Sequence, residues 1–428
     1  EEEGTPGAPE EEGTPGAPGQ EETPGTPEEK NSLPDDPAAG ALPQGEELPV
    51  SLLASAGNLA ISTREALADF AAEVNGGNSF EGYTITLEAN IDLGGEITPW
   101  QPVGESGNPF KGTFDGGNHV ISGLYIDAAI SNQGLFGYVD TAAAVKNLTV
   151  AGSVTSSLNY AAGIAGYSEG IIENCHNKVN VTGTEASAYY YGGIAGYNGG
   201  TIRNCLNTGS IVKEDSGTAG CGGIVGRLYG GRVGSCYNAG RVTGNGNFVG
   251  GIAGLQQSTS TVENCYNIGE VTNLDPSAIT GAVSTFHSSA ASKAIAANVY
   301  FLSGAGLAGV GNDSNNRARA DEKTSEEMKT EVFLTSLNGE GSAFIADETR
   351  INSGYPVFAW QKEVDAGTPE APEFQEATPF SARLAGYIRA SFNGTKARLG
   401  GDSILARVYG KRHRHRLDGF CHGQVWLP

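Results

Sequence analysis

A block of about thirty residues returns along this chain at a nearly fixed interval, and that period limits the fold more than any other feature. Gly134-Leu-Phe-Gly137, Gly163-Ile-Ala-Gly166, Gly193-Ile-Ala-Gly196, Gly223-Ile-Val-Gly226 and Gly251-Ile-Ala-Gly254 begin 29, 30, 30 and 28 residues apart. A second motif trails the last four: Asn174-Cys-His-Asn177, Asn204-Cys-Leu-Asn207, Ser235-Cys-Tyr-Asn238 and Asn264-Cys-Tyr-Asn267. Lys146-Asn-Leu148 before the series and Asn298-Val-Tyr300 after it hold the same place without the cysteine. A fixed period in this range is the signature of a solenoid.

Segment length selects the kind of solenoid. Each period holds apolar runs of three to five residues between Gly, Asn and Ser, too short for helices. The Leu-x-x-Leu-x-Leu spacing of leucine-rich repeats is absent. The reading is therefore all-β: a right-handed parallel β-helix over residues 51–361, with three short strands per coil. Seven or eight coils at about 4.8 Å each make a rod roughly 35–40 Å long. Two short helices are expected to cover its open ends. One is capped by Ser62 or Thr63, carries the apolar stripe Leu67, Phe70, Ala71 and Val74, and stops at Gly76-Gly77. The other starts in Thr324-Ser-Glu-Glu-Met-Lys-Thr330, continues towards Leu337 and stops at Gly339.

Composition separates this region from its flanks. Residues 1–50 repeat Glu2-Glu-Gly-Thr-Pro-Gly-Ala-Pro9 as Glu11-Glu-Gly-Thr-Pro-Gly-Ala-Pro18 and carry fourteen acidic residues against Lys30 alone. Such a segment has too little apolar surface to offset the entropy of ordering and reads as a disordered acidic linker. Residues 362–428 read as a linker and a basic, disordered tail containing Lys411-Arg-His-Arg-His-Arg416. His413, His415, Cys421 and His422 in that tail match no standard metal-site spacing. The net charge of −23 argues against nucleic acid and anionic membranes as partners. No run reaches the eighteen apolar residues of a membrane span, so no membrane insertion is expected of this chain. The chain opens at Glu1, and any secretory signal is expected to lie outside it.

Gly-hydrophobic-hydrophobic-Gly followed by Asn-Cys-x-Asn resembles the GLUG-motif repeats of bacterial surface proteins, including the non-catalytic regions of immunoglobulin-A-cleaving metallopeptidases. Trp100-Gln-Pro-Val-Gly104 with Phe110-Lys-Gly-Thr-Phe-Asp-Gly-Gly-Asn118 is similar to the segment that leads into such repeats. Asn352-Ser-Gly-Tyr-Pro-Val-Phe358 is similar to the one that closes them. The resemblance covers about residues 60–361. It implies an extracellular protein of the cell surface or cell wall, and it assigns no catalytic residue.

Cys175, Cys205, Cys236 and Cys265 share one repeat position, which Leu148 and Val299 fill in the flanking coils. A position that accepts an aliphatic residue faces the core, so the cysteines read as stacked apolar thiols. A disulfide is disfavoured because in-register strands hold Cβ atoms near 4.8 Å rather than the roughly 3.8 Å it needs. Cys221 lies off this ladder and is expected to be exposed. Asn174, Asn204 and Asn264, with Asn177, Asn207, Asn238 and Asn267, read as a structural ladder of turn residues and stacked amides.

Polysaccharide-cleaving β-helices need two or three carboxylates together. Here the position two before each cysteine reads Glu173, Arg203, Gly234, Glu263 and gathers nothing. Asp115 reads as a turn residue and Glu214-Asp215 as a solvated loop. No His-Glu-x-x-His occurs. Tyr160, Tyr167, Tyr189, Tyr190, Tyr191 and Tyr197 are the candidate binding aromatics, with tyrosines packed between coils as the structural alternative. The leading expectation is a monomeric, non-catalytic rod for adhesion or display, binding a host or bacterial glycan or protein, without cofactor or metal. The alternatives are a carbohydrate-active β-helix enzyme and a spacer of a larger surface peptidase.

Overall fold

The computed structural model describes residues 57–361, apart from 186–188, 287–293, 305 and 314–317 and the side chains of residues 218 and 219. The linker and tail expected at 1–50 and 362–428 lie outside the described residues. The described chain forms a parallel β-helix of about eight turns. Three parallel sheets run along it, of seventeen, seven and four strands, and a two-stranded antiparallel pair is added near residue 350.

The first sheet carries the Asn-Cys column. Val145, Ile172, Ile202, Val233 and Val262 pair in register and point inward, and so do Leu148, Cys175, Cys205, Cys236 and Cys265 three positions later. Strict alternation cannot put positions three apart on one face. The residue between makes it possible: Asn147, Asn174, Asn204, Ser235, Asn264 and Asn298 all have φ between 50° and 55°. Asn adopts this left-handed conformation more readily than other residues with a Cβ. The turn resets the strand and returns the next side chain to the core. Asn174 Nδ2 donates to Asn147 Oδ1 at 2.9 Å, and Asn298 Nδ2 to Asn264 Oδ1 at 2.7 Å.

The second asparagine of each motif is buried. Asn177, Asn207, Asn238 and Asn267 form a file in which each Nδ2 donates to the next Oδ1 at 2.7, 2.7 and 2.8 Å. Each also accepts from the N–H and donates to the carbonyl two residues ahead; for Asn207 these are Gly209 N at 3.1 Å and Gly209 O at 2.9 Å. Buried amides are tolerable because both ends are satisfied. The first glycine of the Gly-x-x-Gly motif packs on this file. A Cβ on Gly223 would stand 2.2 Å from Gly251 O and 2.3 Å from Asn238 Cγ. The two motifs, some twelve residues apart in sequence, are halves of one contact.

The five cysteines of the described region are free and buried. Along the ladder, the N–H groups of Cys175, Cys205 and Cys236 donate to the sulfur of the next coil at 3.4, 3.4 and 3.3 Å. Cys221 is also buried rather than exposed, because its strand, Gly217–Gly222, lies in the third sheet with Cys221 in register with Tyr191. Burial pushes the Cys175 and Cys236 thiols up, and that of Cys221 from 9.0 to about 12. Below pH 9 these thiols are protonated in both the folded and unfolded chain. Above it the unfolded chain releases protons that the folded one retains, so stability is lost as pH rises towards 12. With Cys421→Ser in place, a thiol reagent at pH 8 is expected to label none of the five native cysteines and all five after denaturation.

Helix α1, Arg64–Asn75, starts at Thr63, whose Oγ1 accepts from Ala66 N at 3.2 Å. Its Leu67, Phe70, Ala71 and Val74 enter the main core, where Phe70 meets Phe80, Phe110 and Phe114. It thus closes the N-terminal end. The second expected helix divides. Thr324 Oγ1 accepts from Glu327 N at 3.2 Å ahead of only a short 3-10 turn, Glu327–Lys329, and Thr330 then caps helix α2, Glu331–Asn338. Rather than covering the last coil, α2 lies on the flank of the rod. Phe333 meets Tyr266 and Tyr300, the outward residues that follow the Cys column. The antiparallel pair Phe344–Ile345 and Val357–Phe358 continues this second apolar cluster over Tyr237. Asn352 Nδ2 donates to the Tyr266 hydroxyl at 2.9 Å, and Asn298 Nδ2 donates to Ser336 O at 2.9 Å at the end of α2. The last strand of the first sheet, Ala318–Lys323, carries Asp321, Glu322 and Lys323, and charge is a common guard of an edge. Because the two clusters are separate, Phe333→Ala is expected to speed hydrogen exchange across 324–361 while the coils stay protected.

Candidate functional site

The outward position after the second glycine of each Gly-x-x-Gly motif forms one row on the second sheet. Tyr138, Tyr167, Tyr197, Arg227 and Leu255 stand in register on successive coils. In-register strands bring such neighbours into contact. Tyr138 and Tyr167 stack at 4.6 Å between centroids, and Tyr167 and Tyr197 at 4.2 Å with planes 6° apart. Beside this row Tyr160 stacks on Tyr190 at 5.9 Å and meets Tyr167 and Tyr197 edge-on. Tyr189 tilts against Tyr190 at 6.0 Å. All six rings are half-buried.

Tyr160 and Tyr190 have φ of 62° and 54°. A left-handed bulky residue costs on the order of 1–3 kcal/mol, and such strain concentrates at functional sites. Arg227 closes the strip. Its guanidinium carbon lies 5.3 Å from the Tyr190 ring centre, 5.7 Å from that of Tyr197 and 5.1 Å from that of Tyr229. Its Nε donates to Gln257 Oε1 at 2.7 Å. At the far end the Tyr138 hydroxyl donates to Glu169 Oε2 at 2.9 Å. Burial, with Glu169 adding to it, pushes Tyr138 up to about 12, and burial also raises Tyr167, Tyr190 and Tyr197. Tyr138, Tyr167, Tyr190 and Tyr197 therefore present neutral hydroxyls at physiological pH.

Five of the six tyrosines singled out in the sequence, Tyr160, Tyr167, Tyr189, Tyr190 and Tyr197, come together here. Tyr191 does not. The left-handed turn at Tyr190 sends it into the core, where its ring lies over Gly183 and its hydroxyl donates to Leu158 O at 3.4 Å. Tyr138, Glu169, Arg227, Tyr229 and Gln257 were not legible as members. For Tyr138 and Arg227 the signal was available: both follow a Gly-x-x-Gly motif, as Tyr167 and Tyr197 do.

The acidic residues that catalysis would need are paired, hydrogen-bonded or dispersed. Glu173 pairs with Arg203 at 2.8 Å on the next coil, Glu263 pairs with Arg232, and Glu270 pairs with Arg241 at 3.4 Å. Asp115 accepts from Gly117 N and Asn147 Nδ2 at 3.0 Å each and pairs with Lys146 at 3.2 Å. Burial would raise its pKa, but these bonds outweigh it and hold the carboxyl below its usual value. Glu214 and Asp215 are exposed. Among the described residues no group of three His, Cys, Asp or Glu is placed to hold a metal ion, and no helix is long and apolar enough to cross a membrane. A cleft of about 230 Å³ beside the flank segment is lined by His176, Lys178, Thr208, Tyr237 and Trp360 among others, with no carboxylate.

No family model matches the chain. A protein named "Putative Gly-rich membrane protein" from Evansella cellulosilytica is 31% identical over 102 residues, which are 22% of this chain and 12% of that protein. Halomucin from Haloquadratum walsbyi is 32% identical over 99 residues, 23% of this chain and 1% of that protein. The chain thus spans a small part of the curated relatives it matches. Among solved structures, a "putative immunoglobulin A1 protease" from Bacteroides ovatus superposes with a TM-score of 0.53 at 21% identity, over 72% of this chain and 94% of that one. That likeness is one of fold.

Proposed function

We propose that this chain is a non-catalytic module of an extracellular bacterial surface protein of the GLUG-repeat kind, in which the β-helix is a stiff support and the tyrosine strip is its binding face. The strip carries this reading. It gathers six half-buried rings and a cation on four successive coils, with strained backbone at two of them, whereas the interior side chains serve stacking. A wall or surface location is in keeping with relatives named a Gly-rich membrane protein and a halomucin and with the acidic Pro/Gly-rich composition of residues 1–50. A spacer within a larger surface peptidase is a second reading, favoured by the fold shared with the immunoglobulin A1 protease chain.

The test is retention of the chain on immobilised host-mucin and bacterial-wall glycans, with new reducing ends measured in the same samples. Binding without new ends is expected, weakened several-fold by Tyr197→Ala through the loss of two ring contacts. New reducing ends would place the chain among the carbohydrate-active enzymes. Failure to bind any glycan would leave the spacer reading.

A further inference from the structure

We infer that Arg227, seated among Tyr190, Tyr197 and Tyr229, anchors the carboxylate of an acidic saccharide that lies along the tyrosine strip; this deepens the binding role proposed above and rests on it. Arg227 differs from its neighbours on the rod. Arg203, Arg232 and Arg241 each pair with a glutamate one coil away. Arg227 has no carboxylate partner among the described residues, although the chain carries a net charge of −23. Its position is nonetheless fixed by three rings and by Gln257. A guanidinium carries five N–H donors. One reaches Gln257, and the remaining donors match the two oxygens of a carboxylate in a geometry the rings already hold.

The tyrosines say what else the ligand carries. The faces of Tyr167 and Tyr197 lie against each other, with Tyr138 against Tyr167. Stacked rings offer solvent their hydroxyl edges rather than flat faces for sugar stacking. A row of neutral hydroxyls, renewed at each coil rise of about 4.8 Å, suits a polyhydroxylated chain whose residues are of similar length. An acidic polysaccharide supplies both groups. Glu169 holds the opposite end of the row through Tyr138, so the carboxylate belongs at the Arg227 end. The overall acidity of the rod opposes an anionic ligand, and selection for one has to come from this local cation.

The experiment uses the full chain and a matched pair of probes, an oligogalacturonate and its methyl ester, titrated by calorimetry into wild type, Arg227→Gln and Arg203→Gln, each checked for an unchanged thermal melt. The acid form is expected to bind roughly tenfold or more tighter than the ester, the size of one charge-assisted contact. Arg227→Gln should bring the two within about twofold, and Arg203→Gln should keep the preference. Equal binding of acid and ester by wild type would overturn the inference and leave the strip a neutral-glycan site. A preference that survives Arg227→Gln would place the anion elsewhere and overturn it as well. If neither probe binds while neutral mucin or wall glycans do, this inference falls and the binding role stands; if no glycan binds, both fall.

Discussion

Asn207→Ala is expected to destabilise the rod by about 3 kcal/mol or more, read as a lower denaturation midpoint, because each buried polar group left without a partner costs roughly 1–3 kcal/mol. The substitution removes the amide that accepts from Asn177 and Gly209 N and donates to Asn238 and Gly209 O. Asn177 Nδ2 keeps Val179 O, Asn238 Oδ1 keeps Gly240 N and Gly209 N keeps Asn177 O at 3.3 Å, so the orphaned group is the Gly209 carbonyl, and the three other bonds are lost at about 0.5–1.5 kcal/mol each. Asn204, three residues earlier, makes the contrast. It is held at φ 53° and contributes mainly that conformation. Asn204→Ala should cost about 1–2 kcal/mol for a Cβ in the left-handed region, and Asn204→Gly close to nothing. Equal costs at the two positions would mean that the two asparagine columns do not have the separate roles described.

Gly223→Ala should be at least as damaging. Its Cβ would meet Gly251 O and Asn238 Cγ, one a backbone atom of the next coil and the other fixed in the amide file. Overpacking costs typically 1–3 kcal/mol where neighbours can shift; here the coil spacing itself would have to open. A broadened, less cooperative denaturation transition is expected. Gly234→Ala is the control, since its nearest neighbours would be the ends of Arg232 and Glu263 at 3.6 and 3.8 Å. It should unfold like the wild type.

The fold was legible because a repeat states its own register. Once Cys175, Cys205, Cys236 and Cys265 align, every other position of the coil aligns with them, and the exchange of Cys for Leu148 and Val299 tells which way they point. The flank segment was not legible in place. The caps at Thr324 and Thr330 and the stripe Phe333–Leu337 announce an apolar face, but the partners, Tyr266 and Tyr300, lie more than thirty residues away in sequence. The inter-coil pairs Glu173–Arg203 and Arg232–Glu263 escaped for a related reason: the first lies within a column that reads as scatter until the coils are stacked, and in the second Arg232 reaches Glu263 from two positions outside that column. The candidate site is legible by column more than by residue type. Tyr189-Tyr-Tyr191 reads as a run of one kind, but the left-handed turn at Tyr190 breaks its alternation, leaving Tyr189 and Tyr190 in the strip and Tyr191 inward. The row Tyr138, Tyr167, Tyr197, Arg227 contains the cation that gives the strip its polarity, and no search for aromatics would have included it.

Stacking through the buried amide file is what leaves the surface rows free to bind, and side-chain amide hydrogen exchange tests it most directly. Resolved by NMR on the amide-labelled chain, the Nδ2 protons of Asn177, Asn207, Asn238 and Asn267 are expected to exchange only with global unfolding, while exposed asparagine amides exchange within the dead time. Rapid exchange of all four in a chain that otherwise stays folded would contradict the stacking.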